Sequence, residues 1–424
     1  MSVTTGSDEH TTGRTDPASQ ERERAREQAR ARTREHEPRQ YWPGVVCLGV
    51  GIFAIVTSEI LPIGLLTPIG GEFGVSDGTA GWLMTVPGLV AAICAPLVTV
   101  TTGRLDRRGM LVALIVLLAV ANFLAAIATA FWVVLVARSL VGVTIGGFWS
   151  IGAGLAPRLV HGRAVGTATA VVFAAVPAGS VLGLPAGTQL GEHIGWRASF
   201  VVLGVLALGV ATALLALLPP LPPLQVTRAA VLRGLLRGTD IRIGLVATCL
   251  IVIAHFGAYT YVTPFLEQVT HVDRGLIGVY LLAFGVAGIV GNFVAGATMV
   301  RGLRATFVTC AALIAPATLL FPVLGRWDAG AVGLLVVWGA AYGAVPACSQ
   351  TWFARSAPRA PEAAMVVFTS SFQLTLATGA LVGGAVVDAT SPSTVMVCAG
   401  AIALAAVAAL AALAAPDEAP RRTT

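Results

Sequence analysis

Two ionisable side chains, Glu59 and Arg138, stand in stretches of the chain that are otherwise apolar. A charged group is costly in an apolar medium, so its presence there points to a function. Burial favours the neutral acid, whereas a nearby arginine favours the carboxylate. A carboxyl group poised between these two effects can bind and release a proton, and that is the chemistry we predict for Glu59. The alternative is a fixed ion pair with Arg138 that joins two helices.

Aromatic and polar side chains at helical spacing form a second group of candidates. His255 and Tyr259 are one turn apart, as are Trp338 and Tyr342, so each pair shares a helix face. They predict a cavity wall on which a planar or amphipathic substrate stacks, with plain packing between helices as the alternative. For His255, a hydrogen bond within that wall is favoured over a direct role with proton or substrate. The predicted cavity residues are Trp149, His255, Tyr259, Trp338, Tyr342 and Gln373.

The polar run Asp106-Arg107-Arg108-Gly109 separates two apolar stretches. Its simplest interpretation is a turn that carries positive charge. Its functional interpretation is a gating loop formed by Asp106, Arg107 and Gly109. In that loop, Asp106 contacts a helix N-terminus or an arginine and locks one conformation.

Gly179, Gly183 and Gly187 recur every four residues beside Pro185. Small residues at this spacing form a smooth helix face on which another helix packs closely. Proline interrupts the backbone hydrogen bonds of a helix. Close packing and a bendable cavity helix therefore fit this pattern equally well.

Membrane-spanning helices must hold all of these residues. Hydrophobic residues make up 56% of the 424 positions, charged residues 11%, and the mean hydropathy is +0.83, whereas a soluble domain is about one quarter charged. About 20 apolar residues cross the hydrocarbon core of a bilayer. We predict an all-α membrane protein with twelve transmembrane helices in two six-helix bundles. The spans are residues 44–68, 79–101, 110–129, 132–155, 164–188, 197–218, 242–266, 275–299, 304–325, 329–353, 362–387 and 393–414.

The distribution of the arginines predicts how these spans are oriented across the membrane. Of the 27 basic residues, only Arg197, Arg274 and Arg326 fall in the segments on one side, and Arg138 lies inside a span. Cytoplasmic segments are enriched in basic residues, so both termini are predicted to be cytoplasmic. All basic residues except histidine are arginine, as is typical of a GC-rich bacterial genome, and the bacterial inner membrane is the predicted location.

A polar stretch divides the spans six and six. The predicted domains are a disordered cytoplasmic tail (1–41), a first bundle (42–218), a cytoplasmic linker (219–241), a second bundle (242–415) and a cytoplasmic tail (416–424). The first 40 residues have balanced charge and no aromatic residues, so the tail is not predicted to bind nucleic acid. Gly142 and Gly146 recur as Gly339 and Gly343 at an offset of 197 residues, which favours a parallel duplication.

Over residues 42–415, these motifs resemble the major facilitator superfamily, specifically its twelve-span drug:proton antiporter branch. The Asp106 loop is similar to the superfamily's motif between the second and third helices. Arg138 with Gly142 and Gly146 resembles its fourth-helix motif, which is associated with proton coupling. The fifth-helix glycines resemble its antiporter motif, with the usual Gly-Pro pair split by Leu184. The segments most similar to bacterial sugar and purine ribonucleoside efflux pumps are Ser58-Glu59-Ile60-Leu61-Pro62, Leu65-Leu66-Thr67-Pro68, Gly146-Gly147-Phe148-Trp149, Trp338-Gly339 and Val345-Pro346.

The resemblance implies rocker-switch alternating access by a monomer. It also implies export of a nucleoside, sugar or drug-like solute, driven by inward proton flow. A proton-coupled importer of a small metabolite shares the fold and is the alternative, although the fifth-helix pattern argues against it. A membrane-embedded enzyme or a passive channel is a more distant alternative. The sequence has no metal-ligand cluster, nucleophile–base pair or phosphate loop, so neither catalysis nor a metal or other cofactor is predicted.

Overall fold

The computed structural model of the chain describes residues 40–102, 105–151, 155–161, 164–222 and 229–412. These residues form helices and no β-strand. The long helices are α1 (Trp42–Phe73), α2 (Trp82–Thr101), α3 (Arg107–Ala126), α4 (Phe131–Ile151), α5 (Ala164–Ile194), α6 (Trp196–Leu217), α7 (Thr239–Tyr259), α8 (274–301), α9 (303–324), α10 (Asp328–Ser356), α11 (Pro361–Ala389) and α12 (Pro392–Ala412). The predicted tails lie outside the described residues, apart from Gln40 and Tyr41.

Eleven helical runs of the described residues are long and apolar enough to cross a membrane. The longest, Arg274–Leu324, has 51 residues, or roughly 77 Å of helix, more than twice the roughly 30 Å of a hydrocarbon core. Gly302 interrupts it with an extended backbone (φ −174°, ψ 98°). The run is therefore two helices, α8 and α9, and the predicted all-α fold with twelve apolar helices is confirmed.

Some helix ends differ from the prediction. α1 continues to Phe73, five residues past the predicted end, because Pro62 and Pro68 are both accommodated inside the helix. α5 continues to Ile194 and contains a π-helical turn at Gly179–Gly183. The predicted linker holds a short helix, Ala229–Leu235, and α7 begins at Thr239.

The same close helix crossing occurs twice. A Cβ atom added to Gly142 on α4 would lie 2.5 Å from the carbonyl oxygen of Pro87 on α2. A Cβ atom added to Gly339 on α10 would lie 2.2 Å from the carbonyl oxygen of Phe284 on α8. The two glycines are 197 residues apart, and so are the residues that they contact. The sequence repeat therefore corresponds to a repeated helix pair.

The apolar core follows the division into six and six helices. One buried cluster contains only residues between Val45 and Leu221. Another extends from Ala247 to Leu410 and also includes Ile63, Leu66, Ala80, Met84 and Leu184 from the first half. The first half therefore packs against the second through α1, α2 and α5, and α2 lies against α11.

Candidate functional site

Glu59 belongs to the first half, and its buried carboxyl group contacts the second half. It lies near the middle of the 32-residue helix α1. Its side chain is buried. Gln373 Nε2 on α11 donates a hydrogen bond to Glu59 Oε1 over 2.9 Å.

Arg138 contacts the backbone of Glu59, not its carboxyl group. The fully buried guanidinium donates to the carbonyl oxygens of Ser58 (2.6 Å), Glu59 (2.7 Å) and Leu83 (2.8 Å). The two residues are neighbours. The alternative of an ion pair between Glu59 and Arg138 is wrong, because the guanidinium is directed at carbonyl groups of α1 and α2 instead.

Two prolines explain this position of the arginine. Pro62 has no N–H to pair with the carbonyl of Ser58 four residues earlier, and Pro87 likewise leaves the carbonyl of Leu83 free. A free carbonyl is costly in a bilayer unless a neighbouring helix supplies a donor. Arg138 on α4 supplies donors to both carbonyls. The sequence contained this signal, since each proline stands four residues after a carbonyl that the arginine binds.

A cavity of about 250 Å³ lies between the halves, against α1 and α5 on one side and α7, α8 and α10 on the other. On α10 its lining runs from Gly339 to Gln350, towards the end that the arginine distribution predicts to be cytoplasmic. Its polar and phenolic lining residues are Ser180, His255, Tyr259, Asn292, Tyr342 and Gln350. Such a mixture of apolar walls and a few polar groups is typical of small-molecule sites.

One wall of the cavity is a stack of aromatic rings. The His255 ring lies between Tyr342 (ring centroids 3.2 Å apart) and Tyr259 (4.9 Å), and Tyr259 stacks on Phe284 (4.4 Å). The buried atoms His255 Nδ1 and Tyr342 Oη have no hydrogen-bond partner among the described residues. These two atoms are therefore buried polar groups that the described residues leave unpaired, in side chains that line the cavity.

The predicted cavity residues divide into two groups. His255, Tyr259 and Tyr342 line the cavity. The other three do not line it: Trp338 is fully buried behind the stacked rings, Gln373 contacts Glu59, and Trp149 packs against the core of the first half. Helical spacing identifies a shared face, but it does not decide whether that face meets a cavity or a neighbouring helix.

Sequence reasoning missed Ser180, Asn292 and Gln350, although a polar residue inside an apolar span is itself a signal.

Sequence reasoning also missed a polar contact between the halves at the predicted outer end. Asp388, near the end of α11, accepts hydrogen bonds from Ser76 Oγ (2.6 Å) and Gly78 N (2.9 Å), which lie between α1 and α2. Gln268 Nε2 donates to Asp77 Oδ2 over 2.8 Å. These bonds join the halves at the end opposite to the one the cavity lining approaches.

The predicted gating loop is anchored within the first half. Asp106 caps the N-terminus of α3 by accepting from Gly109 N (3.4 Å), and it also accepts from Leu221 N (2.7 Å). Arg107 N donates to Leu221 O over 3.0 Å. Asp106 therefore does meet a helix N-terminus, and its second partner is the segment that follows α6. Gly103 and Arg104, which precede the loop, lie outside the described residues.

The glycines of α5 face α1. A Cβ atom added to Gly183 would lie 2.0 Å from Thr57 Oγ1, and one on Gly187 would lie 2.4 Å from Leu61 Cδ1. Gly179 meets Val56 on the same face, and Pro185 lies two residues after the end of the π-helical turn. Close packing therefore accounts for the glycine spacing, and the π-helical turn is the local departure from a regular helix.

Replacing Gly183 by alanine is expected to destabilise the α1–α5 contact, because the added methyl group has no room beside Thr57. Overpacking of this kind costs about 1–3 kcal/mol. Thermal unfolding of the purified protein in detergent measures the loss. Gly166→Ala on the same helix is the control, since a Cβ atom there meets nothing within 4 Å. Equal unfolding temperatures for the two variants would contradict the expected packing.

The chain matches a family model and is similar to several known proteins. A family model described as Major Facilitator Superfamily matches residues 46–363 and, in a second match, residues 244–424. The chain is 34% identical over 356 residues to "Transcription regulatory protein OpdE" of Pseudomonas aeruginosa, covering 82% of this chain and 88% of that protein. It is 30% identical over 350 residues to "Purine ribonucleoside efflux pump NepI" of Salmonella paratyphi A, with coverage of 82% and 88%.

Solved structures share the fold at low sequence identity. The human organic anion transporter MFSD10 (TETRAN) superposes with a TM-score of 0.65 at 18% identity, over 88% of this chain and 100% of that one. A bacterial homolog to the human lysosomal transporter Spinster, in an inward-facing and occupied conformation, gives a TM-score of 0.69 at 14% identity, over 87% and 95% of the two chains.

Proposed function

The chain belongs to the Major Facilitator Superfamily, and we propose that it is a proton-coupled secondary transporter that exports a small organic solute by alternating access. The observation that carries this proposal is the buried carboxyl group of Glu59. It lies in the helix next to an aromatic cavity and is hydrogen-bonded across the interface of the two halves. A proton bound at this position changes the charge at the surface where the halves meet.

Alternating access is supported by the distribution of contacts between the halves. Hydrogen bonds at Asp388 and Asp77 join them at the predicted outer end, while the cavity lining extends the other way along α10. This is the arrangement expected of a state that is closed to the outside and open to the cytoplasm. We propose that export proceeds from this state and that both termini are cytoplasmic, with the monomer as the working unit.

The proposed solute is a compact, partly planar molecule such as a nucleoside, sugar or drug-like compound. A cavity of about 250 Å³ suits a small solute, since ligand sites are commonly about 300–1,000 Å³. The stacked rings of His255 and Tyr342 line the cavity and offer a surface for a planar group. A relative that carries the name of a purine ribonucleoside efflux pump makes purine ribonucleosides the first solutes to test.

Uptake into everted membrane vesicles tests the proposed function. Vesicles that contain the protein are energised with an inward-acid pH gradient and given labelled inosine, adenosine, arabinose or chloramphenicol. At least one of these solutes is expected to accumulate, and a protonophore is expected to abolish the accumulation. Vesicles without the protein provide the background.

Two results would contradict proton-driven export. Accumulation that survives the protonophore would mean that protons do not drive transport. Proton-driven accumulation in right-side-out vesicles and not in everted ones would identify an importer.

A further inference from the structure

We propose that Gln373 transmits the protonation state of Glu59 to the second half of the protein. This inference rests on the proposed proton coupling and assigns the residue that couples it to movement. Glu59 belongs to α1 and Gln373 to α11, so their 2.9 Å hydrogen bond crosses the interface that must open and close. Both side chains are buried, at 8% and 4% exposure, so water competes little for the bond.

The strength of this bond depends on the charge of Glu59. When the carboxyl group is ionised, the amide N–H donates to an anion, and such a bond is roughly twice as strong as one between neutral groups. Proton uptake converts the acceptor into a neutral acid. The bond between the halves is therefore strong while Glu59 is ionised and weakens as the pH falls and Glu59 becomes protonated.

Glu59 is the group that fixes the orientation of the Gln373 amide. Within the described residues, the Gln373 side chain forms its hydrogen bond with Glu59. The buried Oε1 atom of Gln373 has no hydrogen-bond partner among those residues. An amide with a second partner would stay in place when the carboxyl group changed its charge. Gln373 has no such anchor in the described part of the chain.

Other ionisable side chains also face Glu59. Arg138 on α4 and Tyr342 on α10 act on it electrostatically, and His255 on α7 stacks on the Tyr342 ring. All three remain when Gln373 alone is replaced. A change in pH response caused by that replacement therefore reports the amide and not these groups.

A neighbouring residue provides a matched control. Ser370, one turn before Gln373 on α11, donates across the same interface to the carbonyl oxygen of Ala92 on α2 (2.5 Å). Pro96 leaves that carbonyl free of an intrahelical partner. The Ser370 bond thus joins the halves through a neutral acceptor, and its strength does not depend on the charge of Glu59.

Distance measurement between the halves tests the role of Gln373 without any solute. Spin labels are placed at His161→Cys and Ala354→Cys, both exposed at the predicted cytoplasmic end, in a background that lacks the six native cysteines and retains transport. Pulsed electron paramagnetic resonance then measures the distance between the two labels and gives the ratio of the two populations, with the halves closer together or farther apart. The measurement runs from about pH 5.5 to pH 8.5, a range that covers the pKa values of perturbed carboxyl groups.

The wild-type ratio is expected to change about fivefold over this range, the difference between a charge-assisted and a neutral hydrogen bond. Gln373→Leu is expected to lose this pH response. Gln373→Asn, which keeps a shorter amide, is expected to recover part of it, whereas Ser370→Ala shifts the ratio and keeps the full response. Glu59→Gln is expected to give one ratio at every pH.

A full pH response in Gln373→Leu, or no response in the wild type, would overturn the role assigned to Gln373. The proposed function is judged separately by vesicle uptake. Proton-driven uptake together with an unchanged response in Gln373→Leu would remove the inference and leave the function in place.

Discussion

Replacing Glu59 by glutamine is expected to reduce proton-driven export to the level of vesicles without the protein. The amide has nearly the shape of the neutral acid and can still bond to Gln373, but it cannot bind and release a proton. The protein is expected to fold and insert, since the variant removes a buried charge without creating a cavity. Uptake of the solute identified in the vesicle panel, corrected for the amount of protein, measures the loss.

Exchange of labelled for unlabelled solute is the control for Glu59→Gln. This exchange needs alternating access but no net proton movement, so we expect it to persist. Proton-driven uptake at the wild-type rate would end the assignment of Glu59 as the proton-binding residue. Loss of both uptake and exchange would show instead that the carboxylate is needed for solute binding or for the movement.

Replacing Arg138 by alanine is expected to destabilise the protein strongly and to abolish transport. The variant leaves the carbonyls of Ser58 and Leu83 without a donor, and Pro62 and Pro87 prevent an intrahelical replacement. An unpaired buried group costs about 1–3 kcal/mol, so a loss of about 2–6 kcal/mol is expected for the two carbonyls. Arg138→Lys is expected to keep part of the stability, because an ammonium group cannot reproduce the planar fork. Thermal unfolding in detergent measures both.

Removing the prolines tests this explanation directly. In a Pro62→Ala, Pro87→Ala background, residues 62 and 87 regain backbone N–H groups that can pair with Ser58 and Leu83. Arg138→Ala is then expected to cost much less than it does in the wild type, as a double-mutant cycle would show. An equal cost in both backgrounds would mean that Arg138 acts through the charge of Glu59 and not through these carbonyls. Transport in the triple variant would then show whether the positive charge has a second role.

Composition and hydropathy determine most of the fold. A hydrocarbon core requires about 20 apolar residues in helical form, because each backbone group must be paired within its own segment. This requirement is local, so twelve helices could be placed from the sequence alone, and the repeat at 197 residues favoured a parallel duplication. The difference at Phe73 arises because α1 accommodates Pro68, the residue at which the predicted helix ended.

The charged residues of the site show the limit of this reasoning. Position in the chain is a local property, and it identified Glu59 and Arg138 as ionisable residues inside apolar spans. The partner of each side chain depends on the rotation of one helix against the next, which single-sequence periodicity does not specify. Arg138 therefore binds carbonyls freed by prolines, and the carboxyl group of Glu59 binds Gln373, a residue 314 positions away in the chain.

For the same physical reason, some of the predicted aromatic residues line the cavity and others are buried away from it. Helical spacing places Trp338 and Tyr342 on one face of α10. The sequence does not specify which part of that face packs within the second half and which part lies towards the first half. Packing of α7, α8 and α10 buries Trp338 completely and leaves Tyr342 at the cavity. The identity of the cavity residues, the Asp388 contact and the Glu59–Gln373 bond all follow from how two separately packed bundles meet. That arrangement is set by long-range packing, and local hydrophobic pattern carries no information about it.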